Sequence, residues 1–134
     1  MKTHFNFATA DLNASVSFYS SLFKARPAKV RPDYALFIVD DPGIELALDA
    51  RAEVRPTTDA HYGIYVESSS DVNDAIDRLT AAGLPTAVER EETCCYANQT
   101  KVWATDPDGR RWEIYTVHEE TQERDDPSCC AESV

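Results

Sequence analysis

No apolar run in this 134-residue chain approaches the ~18 residues that a membrane-spanning helix requires, which excludes a bilayer-spanning class. Basic residues are scarce: 13 Lys and Arg stand against 24 Asp and Glu, for a net charge of −11. Neutralising nucleic-acid phosphates needs clustered Lys and Arg, so nucleic acid is not an expected partner. The first residues, Met1-Lys2-Thr3-His4, contain no apolar leader stretch and run directly into a strand-like pattern, so the expected location is the cytoplasm. Cysteine is limited to two adjacent pairs, Cys94-Cys95 and Cys129-Cys130. Such pairing suggests metal binding or thiol chemistry before a disulfide framework. Histidine occurs only at positions 4, 61 and 118.

What is present suits a single folded domain. The hydrophobic fraction is 43%, and 2 Trp, 6 Tyr and 5 Phe supply bulk for a core, which argues against disorder. The last 16 positions, 119–134, are acidic and carry the second cysteine pair. They are expected to be a flexible tail on a domain spanning 1–118.

The chain also repeats its own pattern. With His4 laid over His61 and no gaps, Phe7 falls on Ile64, Asp11 on Ser68, Tyr19 on Ile76 and Leu22 on Leu79. Each copy opens with an alternating run, the signature of a strand with one buried face. A helix follows. In the first copy Asp11 is the N-cap and Leu12, Val16, Tyr19, Leu22 and Phe23 form the apolar stripe. In the second, Ser68 to Ser70 offer caps, and Val72, Ala75, Ile76, Leu79 and Ala82 form the stripe. Pro27 bars continuation of the first helix; Gly83 and Pro85 end the second. Three strand-like runs complete each copy, near 28–30, 34–39 and 44–48, and near 86–89, 97–104 and 111–117. Asp106-Pro107-Asp108-Gly109 marks a turn before the last. The expected fold class is therefore α+β: two βαβββ units, about 1–50 and 58–118, paired as a half-barrel around a metal site. The last strands align in letters, Gly43-Ile44-Glu45-Leu46 beside Arg111-Trp112-Glu113-Ile114, which puts Glu45 at the repeat position of Glu113.

The second copy is the longer one. His4 and Glu45 are 41 positions apart, whereas His61 and Glu113 are 52 apart. The surplus includes Cys94, Cys95, Asn98 and Gln99, and enlarged loops commonly carry function. Two His at equivalent strand starts and a Glu on the last strand match the two-His-one-carboxylate set that binds Fe(II) with open positions. His4, His61 and Glu113 are thus the candidate metal ligands; the alternative is hydrogen-bonded structural histidines and a cross-strand charge partner. His118, beside the acidic tail, is taken as a surface residue. Neighbouring Cys are held ~3.8 Å apart at Cα, which disfavours a bond between them. Cys94 and Cys95 are expected to be reduced and accessible, with two small buried hydrophobes as the alternative.

The pattern His4-x6-Asp11-Leu12-x2-Ser15-x2-Phe18-Tyr19, with His61 and Glu113, resembles the glyoxalase/bleomycin-resistance/extradiol-dioxygenase (vicinal-oxygen-chelate) superfamily. Three segments are similar to its organoarsenical carbon–arsenic lyases and cadmium-induced proteins. They are Pro27-Ala28-Lys29-Val30-Arg31-Pro32-x-Tyr34-Ala35-x-Phe37, Thr93-Cys94-Cys95-Tyr96-Ala97-x-Gln99-x-Lys101-Val102-Trp103, and Trp112-Glu113-Ile114-Tyr115. The resemblance implies a non-haem iron dioxygenase acting in arsenic resistance. Fe(II) would be held by His4, His61 and Glu113, and a trivalent organoarsenical by Cys94 and Cys95, with O2 as co-substrate. Soft thiolates suit a soft arsenic centre. Cys129 and Cys130 are candidate accessory thiols. Lys101 has two readings: an oxyanion stabiliser or a surface lysine.

Two further classes stay open. A glyoxalase I-like isomerase would use Ni or Zn, with Glu45 as a fourth ligand. A non-enzymatic arsenic or cadmium binder would use the thiols alone. The oligomeric state is open between monomer and homodimer.

Overall fold

Alternation and helical period each find their element. The computed structural model describes residues 1–55 and 59–124; Cys129, Cys130 and most of the expected tail lie outside them. The chain contacts divide into two compact units. The first comprises Met1–Asp59 with Asp106–Arg110, and the second contains the remaining described residues.

In the first unit, β1 (Thr3–Thr9), α1 (Leu12–Phe23), β2 (Lys29–Arg31), β3 (Tyr34–Val39) and β4 (Ile44–Ala50) follow in order. The sheet order is β1-β4-β3-β2, with β1 parallel to β4 and the other pairs antiparallel. One face of this sheet packs against α1. It carries Phe7, Leu46, Leu48, Ala35 and Phe37, all buried. From α1 come Phe18, Tyr19, Leu22 and Phe23. Rings meet in sequence: Phe7 with Tyr19, Tyr19 with Phe23, and Phe23 with Phe37 at 6.0 Å. Full burial of such a side chain contributes roughly 1.5–3 kcal/mol, so this face supplies the unit's core. Leu12 and Val16 of the expected stripe are only half-buried, and Ser15 and Phe18 are buried instead. Ser15 is accommodated because its hydroxyl bonds Thr9 Oγ1 at 2.7 Å. Asp11 caps α1 as expected, accepting from Ala14 N. The helix closes on Lys24 in the left-handed conformation, before Pro27.

The Asp106–Arg110 turn packs with this first unit. Buried Asp106 accepts from Tyr19 Oη at 2.6 Å, from the backbone N–H groups of Asp108 and Arg110, and from Arg110 Nη1. Arg110 also donates to the Ala8 carbonyl, and its guanidinium lies 4.2 Å from the Phe7 ring centre. The sequence shows the turn, but not that its carboxylate is the anchor for Tyr19.

In the second unit, β5 (His61–Tyr65), α2 (Ser69–Ala81), β6 (Thr86–Cys94), β7 (Ala97–Thr105) and β8 (Arg111–Glu120) repeat the same order. The sheet order β5-β8-β7-β6 is also the same. α2 buries Val72, Ala75 and Leu79, while Ile76 is half-buried and Ala82 exposed. Ser68 is the N-cap, and Gly83 follows the helix at φ 77°. Caps at Asp11 and Ser68, each seven residues after its strand histidine, support the gapless alignment of the copies. The fold is α+β, two βαβββ modules, each a four-stranded mixed sheet with one helix.

Three expectations change. The stretch expected as an enlarged loop is mostly strand, because β6 and β7 extend to Cys94 and from Ala97 to form a long hairpin. Glu119 and Glu120, expected in the tail, complete β8 opposite Asn98 and Ala97. Glu45 is not the repeat equivalent of Glu113. His4 pairs with Glu45, whereas His61 pairs with Arg111 and Glu113 pairs with Gly63. By register, Glu45 corresponds to Arg111, and Glu113 corresponds to Ala47 opposite Asn6. Among the described residues no helix is long and apolar enough to cross a membrane.

Candidate functional site

Directly paired residues share a sheet face. On β8, Trp112 and Ile114 face the α2 side, and Glu113 and Tyr115 face the other. Register puts His61, Gly63 and Tyr65 of β5 on that second face, with Lys101 and Trp103 of β7 and Glu89 of β6. It therefore carries a row of polar groups across four strands.

Glu113 is the centre of this row. Its side chain is 9% exposed, with Oε2 2.9 Å from His61 Nε2 and Oε1 2.9 Å from Lys101 Nζ. The Lys101 contact is one of charge, since no well-aligned hydrogen bond reaches Oε1. Lys101 is only 3% exposed, which overturns the surface alternative for it. Its ammonium lies 5.4 Å from the Trp103 ring centre and 5.9 Å from that of Tyr115. The His61 ring meets Trp103 edge to face at 5.2 Å. The buried Trp103 indole N–H has no hydrogen-bond partner among the described residues. A carboxylate between an imidazole and an ammonium is held in a fixed orientation by both contacts.

In the first unit, His4 Nδ1 is 3.4 Å from Glu45 Oε1, and both side chains are about half exposed. Each unit therefore presents one imidazole–carboxylate pair. Among the described residues no group of three or more His, Cys, Asp or Glu forms a metal-binding cluster. Borderline nitrogen and hard oxygen donors of this kind suit a divalent first-row ion.

The thiol pair ends the β6–β7 hairpin. Cys94 pairs with Ala97, and Cys95 and Tyr96 form the turn with φ of 53° and 67°. Two successive left-handed residues are what a tight hairpin turn needs, at a cost of roughly 1–2 kcal/mol each for non-glycine residues. Surrounding hydrogen bonds hold the turn. Gln99 Nε2 donates to the Cys94 carbonyl at 2.8 Å, Tyr96 N–H to the Arg124 carbonyl, and Thr121 N–H to the Tyr96 carbonyl. His118 is exposed as expected, and its Nε2 lies 2.8 Å from Thr100 Oγ1, which accepts from Glu91 N–H under the same hairpin.

Both cysteines were expected to be reduced and accessible. Cys95 is exposed, but Cys94 is 1% exposed and disulfide-bonded. The Cys94 and Cys95 sulfurs are 3.5 Å apart, beyond the ~2.05 Å of a bond, so the neighbours are not joined to each other. The turn also stands apart from Glu113. Trp103, the cross-strand partner of Glu113, is six positions along β7 from Ala97, which is ~20 Å along a straight strand. The pairing register shifts between Glu89 and Glu92 and between Asn98 and Gln99, so the ladder is interrupted between these points.

Two features of this face escape sequence reasoning: the burial of Lys101 and the place of Gly63. Burial of Lys101 follows from β7 alternation in phase with Trp103, a signal that its charge obscures. Gly63 is a lone glycine in a strand pattern, which marks close approach by a neighbour.

The chain matches the Glyoxalase/Bleomycin resistance protein/Dioxygenase superfamily over residues 3–114. It is 45% identical over 123 residues to a protein of Thermomonospora curvata named "Trivalent organoarsenical cleaving enzyme", covering 90% of this chain and 82% of that one. It is 43% identical over 132 residues to "Cadmium-induced protein CadI" of Mycobacterium tuberculosis, covering 90% and 86%. A crystal structure of the fosfomycin resistance protein FosX from Listeria monocytogenes shares the fold at TM-score 0.69 and 18% identity, covering 87% of this chain and 92% of that one.

Proposed function

This chain belongs to the glyoxalase/bleomycin resistance protein/dioxygenase superfamily, and on that footing we propose that it cleaves the carbon–arsenic bond of trivalent organoarsenicals in an Fe(II)- and O2-dependent reaction. The observation that carries this is the joint presence, in one unit, of the His61–Glu113 pair and two adjacent cysteines. Neither a thiol-only binder nor a thiol-free isomerase uses both. The relatives named for organoarsenical cleavage support the same choice.

The ligands in this proposal are His4, His61 and Glu113. Fe(II) held there would supply an O2-binding centre able to oxidise the carbon attached to arsenic. Lys101 holds Oε1 of Glu113, which leaves Oε2 as the oxygen available to an ion. Trp103 packs against His61 and restricts its ring. Cys94 and Cys95 as thiolates would replace the two exchangeable ligands of the arsenical, tethering it and raising its local concentration. That step requires reduction of the Cys94 disulfide. It also requires the hairpin end to swing toward the polar face, pivoting at the two register shifts. For the methyl substrate the balance is CH3As(OH)2 + O2 → As(OH)3 + CH2O, in which carbon is oxidised and dioxygen reduced. Cytoplasmic location, protection against arsenicals and the Cys129-Cys130 accessory role belong to the same proposal.

A Ni- or Zn-dependent isomerase would need Glu45 as a fourth ligand. Its register offset from Glu113 counts against that arrangement.

The test is arsenite and formaldehyde release from trivalent methylarsenical by reduced, Fe(II)-loaded protein, with and without O2. Equimolar products that need both iron and O2 are expected. Tight arsenical binding without turnover would overturn cleavage and favour sequestration.

A further inference from the structure

Glu113 reaches His61 by crossing over Gly63. The two residues are register partners on the parallel β5–β8 pair, and His61 lies two residues back along β5. A Cβ built on Gly63 would stand 3.1 Å from Glu113 Cγ, 3.1 Å from Tyr115 Cε1 and 3.4 Å from Glu113 Oε2. Contacts of 3.1 Å are tighter than carbon–carbon packing at ~3.5–4.0 Å allows. The glutamate cannot yield toward β7, because Trp103 is its register partner there and Lys101 holds Oε1. It would have to withdraw from β5 by a few tenths of an ångström, lengthening the contact between Oε2 and His61 Nε2. The first unit shows the converse arrangement at the equivalent register: Asn6 carries the side chain on β1, and its partner on β4 is Ala47. Glycine on β5 gives that space to Glu113.

We propose that Gly63 is a positioning residue for the Glu113 carboxylate, its missing Cβ leaving the space in which Oε2 is presented beside His61. The consequence for a bound ion rests on His61 and Glu113 being metal ligands; the geometric claim does not. Gly63 touches neither substrate nor ion, and acts only through Glu113.

Two readouts separate these levels. In metal-free protein, the ¹⁵N resonance of His61 Nε2 reports its carboxylate neighbour. Gly63→Ala should move it toward the value seen in Glu113→Gln; a resonance unchanged from wild type overturns the proposal. In the second readout, Co(II) alone is titrated spectroscopically. Gly63→Ala should bind about 10- to 100-fold more weakly than wild type, the range for loss of a supporting residue. In a Lys101→Met/Glu113→Ala background, which lacks the Cγ that the added methyl meets and leaves no buried charge unpaired, Gly63→Ala should cost less than about 3-fold. Equal losses in both backgrounds would mean that alanine acts through the strand, and overturn the proposal. If wild type and His61→Ala bind Co(II) alike, the metal reading fails and the resonance alone decides the role of Gly63. If Gly63→Ala does not fold, Gly63→Ala/Lys101→Met/Glu113→Ala should recover a cooperative melt, and failure of both overturns the proposal.

Discussion

Lys101 and Glu113 form a buried ion pair, Nζ to Oε1 at 2.9 Å, with side chains 4% and 9% exposed. Lys101→Met leaves a buried carboxylate short of its charge partner, and loss of one member of such a pair costs about 3–5 kcal/mol. Urea denaturation at neutral pH should show this loss, and Lys101→Met/Glu113→Gln should recover much of it. A single variant as stable as wild type would mean that the pair adds nothing.

The Tyr19 hydroxyl donates to buried Asp106 at 2.6 Å. Tyr19→Phe removes one donor to a charged acceptor and should cost about 1.5–3 kcal/mol. Asp106→Ala should cost more, because it also strands Arg110 and two backbone N–H groups. Thermal melts rank the two variants; the reverse order would refute Asp106 as the anchor of the turn.

Arsenical capture by two sulfurs requires reduction of Cys94. Trivalent methylarsenical binding, followed by intrinsic fluorescence, should appear only after treatment with a thiol-free reductant. Cys94→Ser and Cys95→Ser should each weaken it about 100-fold or more, since each loses the second, tethered ligand. Unchanged binding in Cys95→Ser would exclude the adjacent pair as the chelate.

Lys2 bonds the carboxylate of Asp40 and holds its pKa below the ordinary value. A depressed carboxyl pKa stabilises the fold at pH above that ordinary value, and the contribution is lost as pH falls through the folded-state pKa. The group is fully exposed, so the effect on stability is small. An NMR titration should place the Asp40 midpoint higher in Lys2→Ala than in wild type, and identical midpoints would refute the contact.

Much of the candidate site is nonetheless legible in the order of residues. His4 and His61 at matching strand starts, Glu113 on the last strand and the adjacent cysteines need only periodicity and repeat alignment to be found. Glu45 shows where letters mislead: its strand matches Ile44-Glu45-Leu46 to Trp112-Glu113-Ile114, yet hydrogen-bond register pairs it with His4 and shifts it two residues from the Glu113 position. Letter matching cannot sense a two-residue slip, because a shift of two preserves the face of every side chain.

The sequence by itself determined the two βαβββ modules, their caps at Asp11 and Ser68, and the strand faces, because these depend on spacing of 2.0 and 3.6 residues and on local hydrogen bonds. Tertiary structure alone decided that Lys101 is buried against Glu113, that Asp106 receives Tyr19, that Gly63 makes room for a carboxylate, and that Cys94 is enclosed while Cys95 is exposed. Each of these depends on which residue of a distant strand or turn stands opposite, and that is set by register and packing between segments far apart in the chain, not by any pattern within one of them.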